Sequence, residues 1–246
     1  MDYGSYVVTR VLIDPALDNM QQQFFEDDPR FVGRLFILQA NLLSDDTGPP
    51  CKMVRRRWSR QTLATVLKAH SQRRNQAAAR PPVPRDYGLP PMPAGRIAIV
   101  AYECDDPRDP RTGAIPGNAW AGSVGWALGG GRRAILWADE VILILEPRGS
   151  APPRPSFPCN KAHSVTERTI CADPSLANWD RSVAMAYALN LNGGPERLDW
   201  TPTDDPDALK AFHRRWLAER DRCGADRECL LSKMYGQVDV LMRRQY

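Results

Sequence analysis

Six cysteines constrain this chain more than any other feature: Cys51, Cys104, Cys159, Cys171, Cys223 and Cys229. The number is even and no Cys-x-x-Cys occurs. The three histidines, His70, His163 and His213, stand at no ligand spacing from a cysteine, so no metal site is expected. Six cysteines allow about 15 full pairings. Proximity favours Cys159–Cys171 and Cys223–Cys229, which leaves Cys51–Cys104 by elimination. The alternative is six buried free thiols in a reducing cytosol. Disulfides belong to oxidising compartments, so the expected location is periplasmic or secreted. Met1-Asp2-Tyr3-Gly4-Ser5 has no basic n-region and no apolar h-region. The matching expectation is a chain whose signal peptide has been removed.

A chain of 246 residues with 43% hydrophobic and 25% charged residues is long enough to bury one large or two ordinary cores. Its longest strongly apolar stretch, Val141 to Leu145, is strand-sized, so no membrane span is expected. Arg148-Gly-Ser-Ala-Pro-Pro-Arg-Pro155 reads as a stiff, exposed connector. The expected domains are therefore 1–147 and 156–246, with a linker at 148–155. The net charge of +4 is uneven: residues 51–96 hold eleven Lys/Arg against Asp86 alone.

The expected fold class is α+β: an N-terminal mixed α/β-sheet domain followed by a small, disulfide-bonded, all-helical domain of three helices. Tyr6 to Ile13, Phe31 to Leu42, Arg96 to Tyr102, Ala134 to Trp137 and Glu140 to Leu145 read as strands. The last is apolar enough to be central in a sheet. Gly129-Gly130-Gly131 suits a hairpin turn. Ser59 is expected to cap a helix running to about Ala79, with Leu63, Val66, Leu67 and His70 on one face. Pro81 to Pro93 reads as a surface loop. In the last third, Asp173-Pro174 opens a helix carrying Leu176, Trp179, Val183 and Tyr187, which Gly193-Gly194 ends. A second helix is expected over about Pro206 to Asp221, and a third from Asp226 with Leu230, Met234, Val238 and Leu241 on one face.

The cysteines of that last third sit in a wider pattern. It comprises Ser156-Phe157-Pro158-Cys159-Asn160-Lys161-Ala162, Ile170-Cys171-Ala172-Asp173-Pro174, Asp180-Arg181, Tyr187, Trp216 through Asp221, Cys223-Gly224-Ala225-Asp226-Arg227-Glu228-Cys229-Leu230 and Tyr235. Over residues 156–246 this resembles the LprI-like family of small, secreted, disulfide-bonded helical domains of bacteria, some of which inhibit lysozyme. Two departures stand out. Pro158 occupies a place where family members usually carry an acidic residue, and Asn192 to Thr203 looks like an insertion between helices. The resemblance implies a stoichiometric inhibitor of a peptidoglycan-cleaving enzyme, either a lysozyme or a lysozyme-like antibacterial effector met by its immunity protein. It implies no catalysis and no cofactor.

A lysozyme cleft is lined by two carboxylates, and a rigid loop carrying basic or hydroxyl groups suits it because less order is lost on binding. The expected contact residues are Lys161, His163, Ser164 and Arg168 in the Cys159–Cys171 loop, together with Arg55, Arg56 and Arg57 of the basic segment. The bland reading of both is a set of ordinary solvated charges. The rival functions are a non-catalytic envelope scaffold or adaptor, a nucleic-acid binder and a hydrolase. Arg55-Arg56-Arg57-Trp58 offers one aromatic and not a stacking platform, so no nucleic acid is expected. Ala121-Gly122-Ser123-Val124-Gly125 resembles a nucleophile elbow, but Trp126-Ala127-Leu128 and three glycines make a poor helix after it. The bland reading is a small-residue turn with Trp120 and Trp126 in the core. No Walker loop or dinucleotide fingerprint occurs.

Overall fold

The structure, a computed structural model, describes residues 3–13, 24–73, 82–89, 95–108, 120–137, 141–149, 154–192 and 205–242. The chain divides into two compact units. One comprises Met1–Phe31 and Leu35–Arg148, the other Val32–Arg34 and Gly149–Tyr246.

The first unit is built on an eight-stranded sheet. The strands are β1 (Gly4–Ile13), β2 (Leu35–Gln39), β3 (Leu42–Asp45), β4 (Val54–Gln61), β5 (Ile97–Cys104), β6 (Val124–Gly129), β7 (Arg132–Trp137) and β8 (Val141–Pro147). They lie in the order β3-β2-β1-β8-β7-β6-β5-β4, and every neighbouring pair is antiparallel. Val141 to Leu145 are all buried, because β8 lies between β1 and β7 with both faces covered. Gly129, Gly130 and Gly131 turn β6 into β7 with φ of 86°, 61° and 76°, a region that side chains rarely enter. Among the described residues the one α-helix of this unit, α1 (Leu63–Arg73), packs Leu63, Val66 and Leu67 on one face of the sheet with Ile99, Trp126, Leu136 and Ile142.

The other face is the inside of a half-barrel. Trp120 meets Phe36 of β2 at 5.3 Å and Tyr102 of β5 at 5.7 Å, both edge to face. In a flat sheet those two strands, five places apart, would be separated by roughly 24 Å. The sheet therefore curls around this aromatic cluster, which Trp137 completes. Register shifts at Val8/Arg10 and Ala127/Gly129 are the kind of bulge that bends a strand. Two devices tie the ends of the curl together. Arg56 on β4 donates to the Gln39 and Ala40 carbonyls in the β2–β3 turn. Cys51, which pairs with Leu43 of β3, is bonded to Cys104 at the end of β5.

Among its described residues the second unit holds four α-helices: α2 (Val165–Ala172), α3 (Pro174–Leu191), α4 (Pro206–Asp221) and α5 (Arg227–Met242). Asp173 caps α3 through the Ser175 and Leu176 amides, and Asp205 caps α4 through the Asp207 amide; each precedes a proline at the first position. The core is Ile170, Leu176, Trp179, Val183, Leu209, Trp216, Leu230, Met234, Val238 and Leu241, all buried. Arg34 belongs to this unit. Its guanidinium lies 3.5 Å over the Trp179 ring and donates to Ser182 Oγ at 2.7 Å.

The expected fold class is thus corrected. Instead of a mixed α/β domain followed by a separate three-helix domain, a curled antiparallel half-barrel carries five helices spread along the chain. One helix lies between β4 and β5 and four follow β8, and the helical unit also takes in Val32–Arg34. Local errors explain the difference. Val54–Gln61 is a strand that runs through Ser59, so Ser59 caps no helix, and Thr62 Oγ1 takes the Thr65 amide at the helix start. The stretch Phe31 to Leu42 is broken by a turn at Ala40-Asn41. Val124 to Gly129 is a strand, so no helix follows the elbow-like segment, and Trp120 and Trp126 are in the core. Within Pro81 to Pro93, Pro84–Tyr87 forms a short 3-10 helix with Tyr87 buried. Residues 74–80, 193–204 and Glu140 lie outside the described residues.

His213 on α4 is sandwiched between Tyr187 at 4.1 Å and Trp216 at 5.4 Å. Burial holds its pKa below the ordinary 6.5; Arg220 pushes the same way and Asp180 opposes. The unfolded chain takes up the proton first as pH falls. The contribution is therefore fully present above about 6.5 and is lost as pH drops through that value toward the lowered folded pKa. The denaturation midpoint of the helical unit should fall between about pH 7.5 and 5, and His213→Phe should flatten that slope. An unchanged slope in the variant would assign the acid sensitivity to other groups.

Candidate functional site

The sequence candidates divide between the two units. In the helical unit the Cys159–Cys171 disulfide forms with Cα atoms 5.8 Å apart. It closes a segment that is half helix. A 3-10 turn (Cys159–Lys161) leads to Ser164, the N-cap of α2. Ser164 Oγ accepts the Glu167 amide at 3.0 Å, and Glu167 Oε2 accepts the Ser164 amide at 3.0 Å and the His163 amide at 2.7 Å. Those two backbone amides hold the Glu167 carboxyl below its ordinary range. Arg168 donates to the His163 carbonyl at 2.8 Å. The structure thus brings Lys161, His163 and Arg168 together as exposed groups on one braced, covalently closed segment, while Ser164 is occupied in capping. Cys223–Cys229 closes the turn between α4 and α5.

In the sheet unit, Arg55, Arg56 and Arg57 alternate across β4. Arg55 reaches Asp105 at 2.5 Å and Glu103 at 3.4 Å, and Arg57 pairs with Glu103. Arg56 points to the other face and holds the β2–β3 turn. These three side chains are therefore engaged within the fold, although Arg55 and Arg57 remain largely exposed. Cys51, Cys104 and Asp106 cluster closely, but both sulfurs are in the disulfide and Asp106 accepts the Lys52 and Met53 amides.

Sequence reasoning missed a cavity of about 430 Å³ inside the half-barrel. Register puts Trp58, Val100 and Gly125 in line across β4, β5 and β6, with Ala127 opposite Arg133 on β7. Arg133 is 8% exposed, and its Nε donates to the Tyr6 hydroxyl at 3.2 Å. Tyr102 also bonds Arg133; burial pushes its phenol above the ordinary range, against the pull of Arg133 and Arg56. The only hint in the sequence is a charge heading an apolar strand, Arg132-Arg133-Ala134-Ile135-Leu136-Trp137. Which arginine faces inward depends on register, and register is not local.

Three disulfides mark an oxidising environment of folding. No helix among the described residues is long and apolar enough to cross a membrane. Comparison with protein-family models, with curated proteins and with solved structures finds no match to this chain.

Proposed function

We propose that this chain is a periplasmic binding protein that blocks a peptidoglycan-cleaving enzyme one to one, as a lysozyme inhibitor or as the immunity partner of a lysozyme-like effector. The observation that carries the reading is the braced Cys159–Cys171 segment, with Lys161, His163 and Arg168 exposed on it. A closed loop loses little further freedom on docking, and its cations match the carboxylates of a muramidase cleft. Opposite charges speed encounter, so inhibition should weaken as salt rises.

A muramidase assay titrated with the intact protein tests this. Inhibition should saturate at one equivalent. Lys161→Glu with Arg168→Glu should weaken it by about tenfold or more. The melting temperature should move little, since both groups are exposed and the one bond given up, from Arg168 to the His163 carbonyl, is worth about 1 kcal/mol. If the double variant inhibits as the parent does, the contact surface lies elsewhere. If no lysozyme class and no effector is inhibited at stoichiometric excess, the inhibitor reading falls and a non-catalytic scaffold role replaces it.

A further inference from the structure

The β4 edge of the sheet turns backbone groups outward. Among the described residues β5 is its one neighbouring strand. The Met53 carbonyl accepts the Asp105 amide at 2.9 Å, and these two residues stand opposite each other one step before Val54 and Cys104 in the same register. Along an antiparallel ladder, hydrogen-bonded and non-hydrogen-bonded pairs alternate. Arg55, Arg57, Ser59 and Gln61 therefore bond β5. The N–H and C=O groups of Arg56, Trp58 and Arg60 point the other way, beyond the edge. Trp58 is 48% exposed, and Arg60 is exposed as well.

The side chains of β4 divide by face in the same alternation. Arg55 and Arg57 are met by the carboxylates of Asp105 and Glu103. On the concave face, Arg56 donates to the Gln39 and Ala40 carbonyls, and Arg60 donates to the Arg96 carbonyl at 3.4 Å. A neutral carbonyl leaves the charge of a guanidinium in place. Trp58 stands between these two arginines on the same face. The concave side of the edge thus reads cation, aromatic, cation, at steps of roughly 7 Å.

We propose that β4 is a docking edge for an extended acidic segment of a partner protein. The segment adds as a further strand, with an acidic residue opposite Arg56 and another opposite Arg60, and a β-branched apolar residue opposite Trp58. Main-chain bonds supply affinity in this mode, and alternate side chains supply the choice of partner. Opposite charges and aromatic–β-branched pairs are the favourable cross-strand neighbours, whereas a basic strand meets like charge. A polyphosphate backbone answers the arginines but leaves the Arg56, Trp58 and Arg60 carbonyls without donors. The inference is independent of the inhibitor reading, which rests on the Cys159–Cys171 segment.

Calorimetric titration of the intact, oxidised protein tests it, with the capped peptide Thr-Glu-Thr-Val-Thr-Glu-Thr as probe. This pattern reads the same in both directions and so suits either strand polarity. The peptide should bind, and replacing both glutamates by lysine should weaken it by roughly tenfold to a hundredfold, the usual worth of bonds to charged groups. Methylating the valine amide, which faces the β4 backbone, should cost about tenfold. Methylating the amide of the next threonine, which faces away, should leave affinity unchanged. Arg60→Glu lies at an exposed position and should reverse the preference from the glutamate to the lysine peptide with little change in melting temperature. The proposal is overturned if the glutamate peptide does not bind at about millimolar concentration, if the two methylated peptides bind alike, if Arg60→Glu keeps the original preference, or if an oligothymidylate of the same net charge binds as tightly as the peptide.

Discussion

Asp180→Ala should destabilise the helical unit by about 3–5 kcal/mol, the usual result of stripping one partner from a buried ion pair. Asp180 is 4% exposed and Arg220 5%. Asp180 Oδ1 accepts from Arg220 at 3.3 Å, and Oδ2 accepts from the Ser156 amide at 2.7 Å and the Ser156 hydroxyl at 2.5 Å. Arg220 is also held by Asp221 at 2.8 Å. One carboxylate thus anchors the chain ahead of α2 to both α3 and α4. Its removal leaves Arg220 buried with half its counter-charge and frees Ser156. Urea unfolding followed at the helical circular-dichroism band measures the loss. The double variant Asp180→Ala with Arg220→Met should recover part of it, since no buried charge is then stranded. If the double variant is as unstable as the sum of the singles, the two residues are not coupled and the network is misassigned.

The second large effect is expected from Cys51→Ala with Cys104→Ala. The bond spans 53 residues, and the chain-entropy account gives a loop of that length about 4 kcal/mol. Cys223–Cys229 spans only 6 and should be worth about 2 kcal/mol. Denaturant midpoints of the two double-alanine variants should therefore differ, with the loss in the first confined to the sheet unit. Equal midpoints would mean that the Cys51–Cys104 bond does little to hold the curled sheet closed.

Local chemistry was readable along the helical third and much less so along the sheet. Asp173-Pro174 and Asp205-Pro206 announce α3 and α4 because an N-cap and a first-position proline act within three residues. The apolar stripes at Leu176, Trp179 and Val183 and at Leu230, Met234 and Val238 need only a fixed period. The short helix α2 is hidden in the sequence because Ser164 reads there as a contact group, whereas with Glu167 it forms a capping box. In the sheet, the hairpin at Gly129 to Gly131 was visible, since three positive φ values call for glycine. The curl was not. It depends on Trp120 touching strands that are far apart in order, and no local window contains Phe36, Tyr102 and Trp120 together. The same holds for the cavity: Trp58, Gly125 and Arg133 come from β4, β6 and β7 and share a face only through register. The β4 strand itself was obscured by its arginines, which suppress the apolar alternation that marks a strand.

Those arginines bear on how the molecule behaves in a crowd. Among the described strands β4 closes one end of the sheet, and an end strand is a template on which another copy's strand can add. An antiparallel match of two β4 strands centred on Arg56 would set Arg55 against Arg57 and each Arg56 against its twin. Like charges placed directly opposite destabilise such a pair. Arg55 and Arg57 carry Asp105 and Glu103 with them, so the repulsion falls mainly on Arg56 against its twin, and it works against another molecule of the same chain. That protection is electrostatic and fades when salt shortens the reach of charge to a few ångströms, so concentrated brine is the condition under which stacked, fibre-like assembly would begin along this strand.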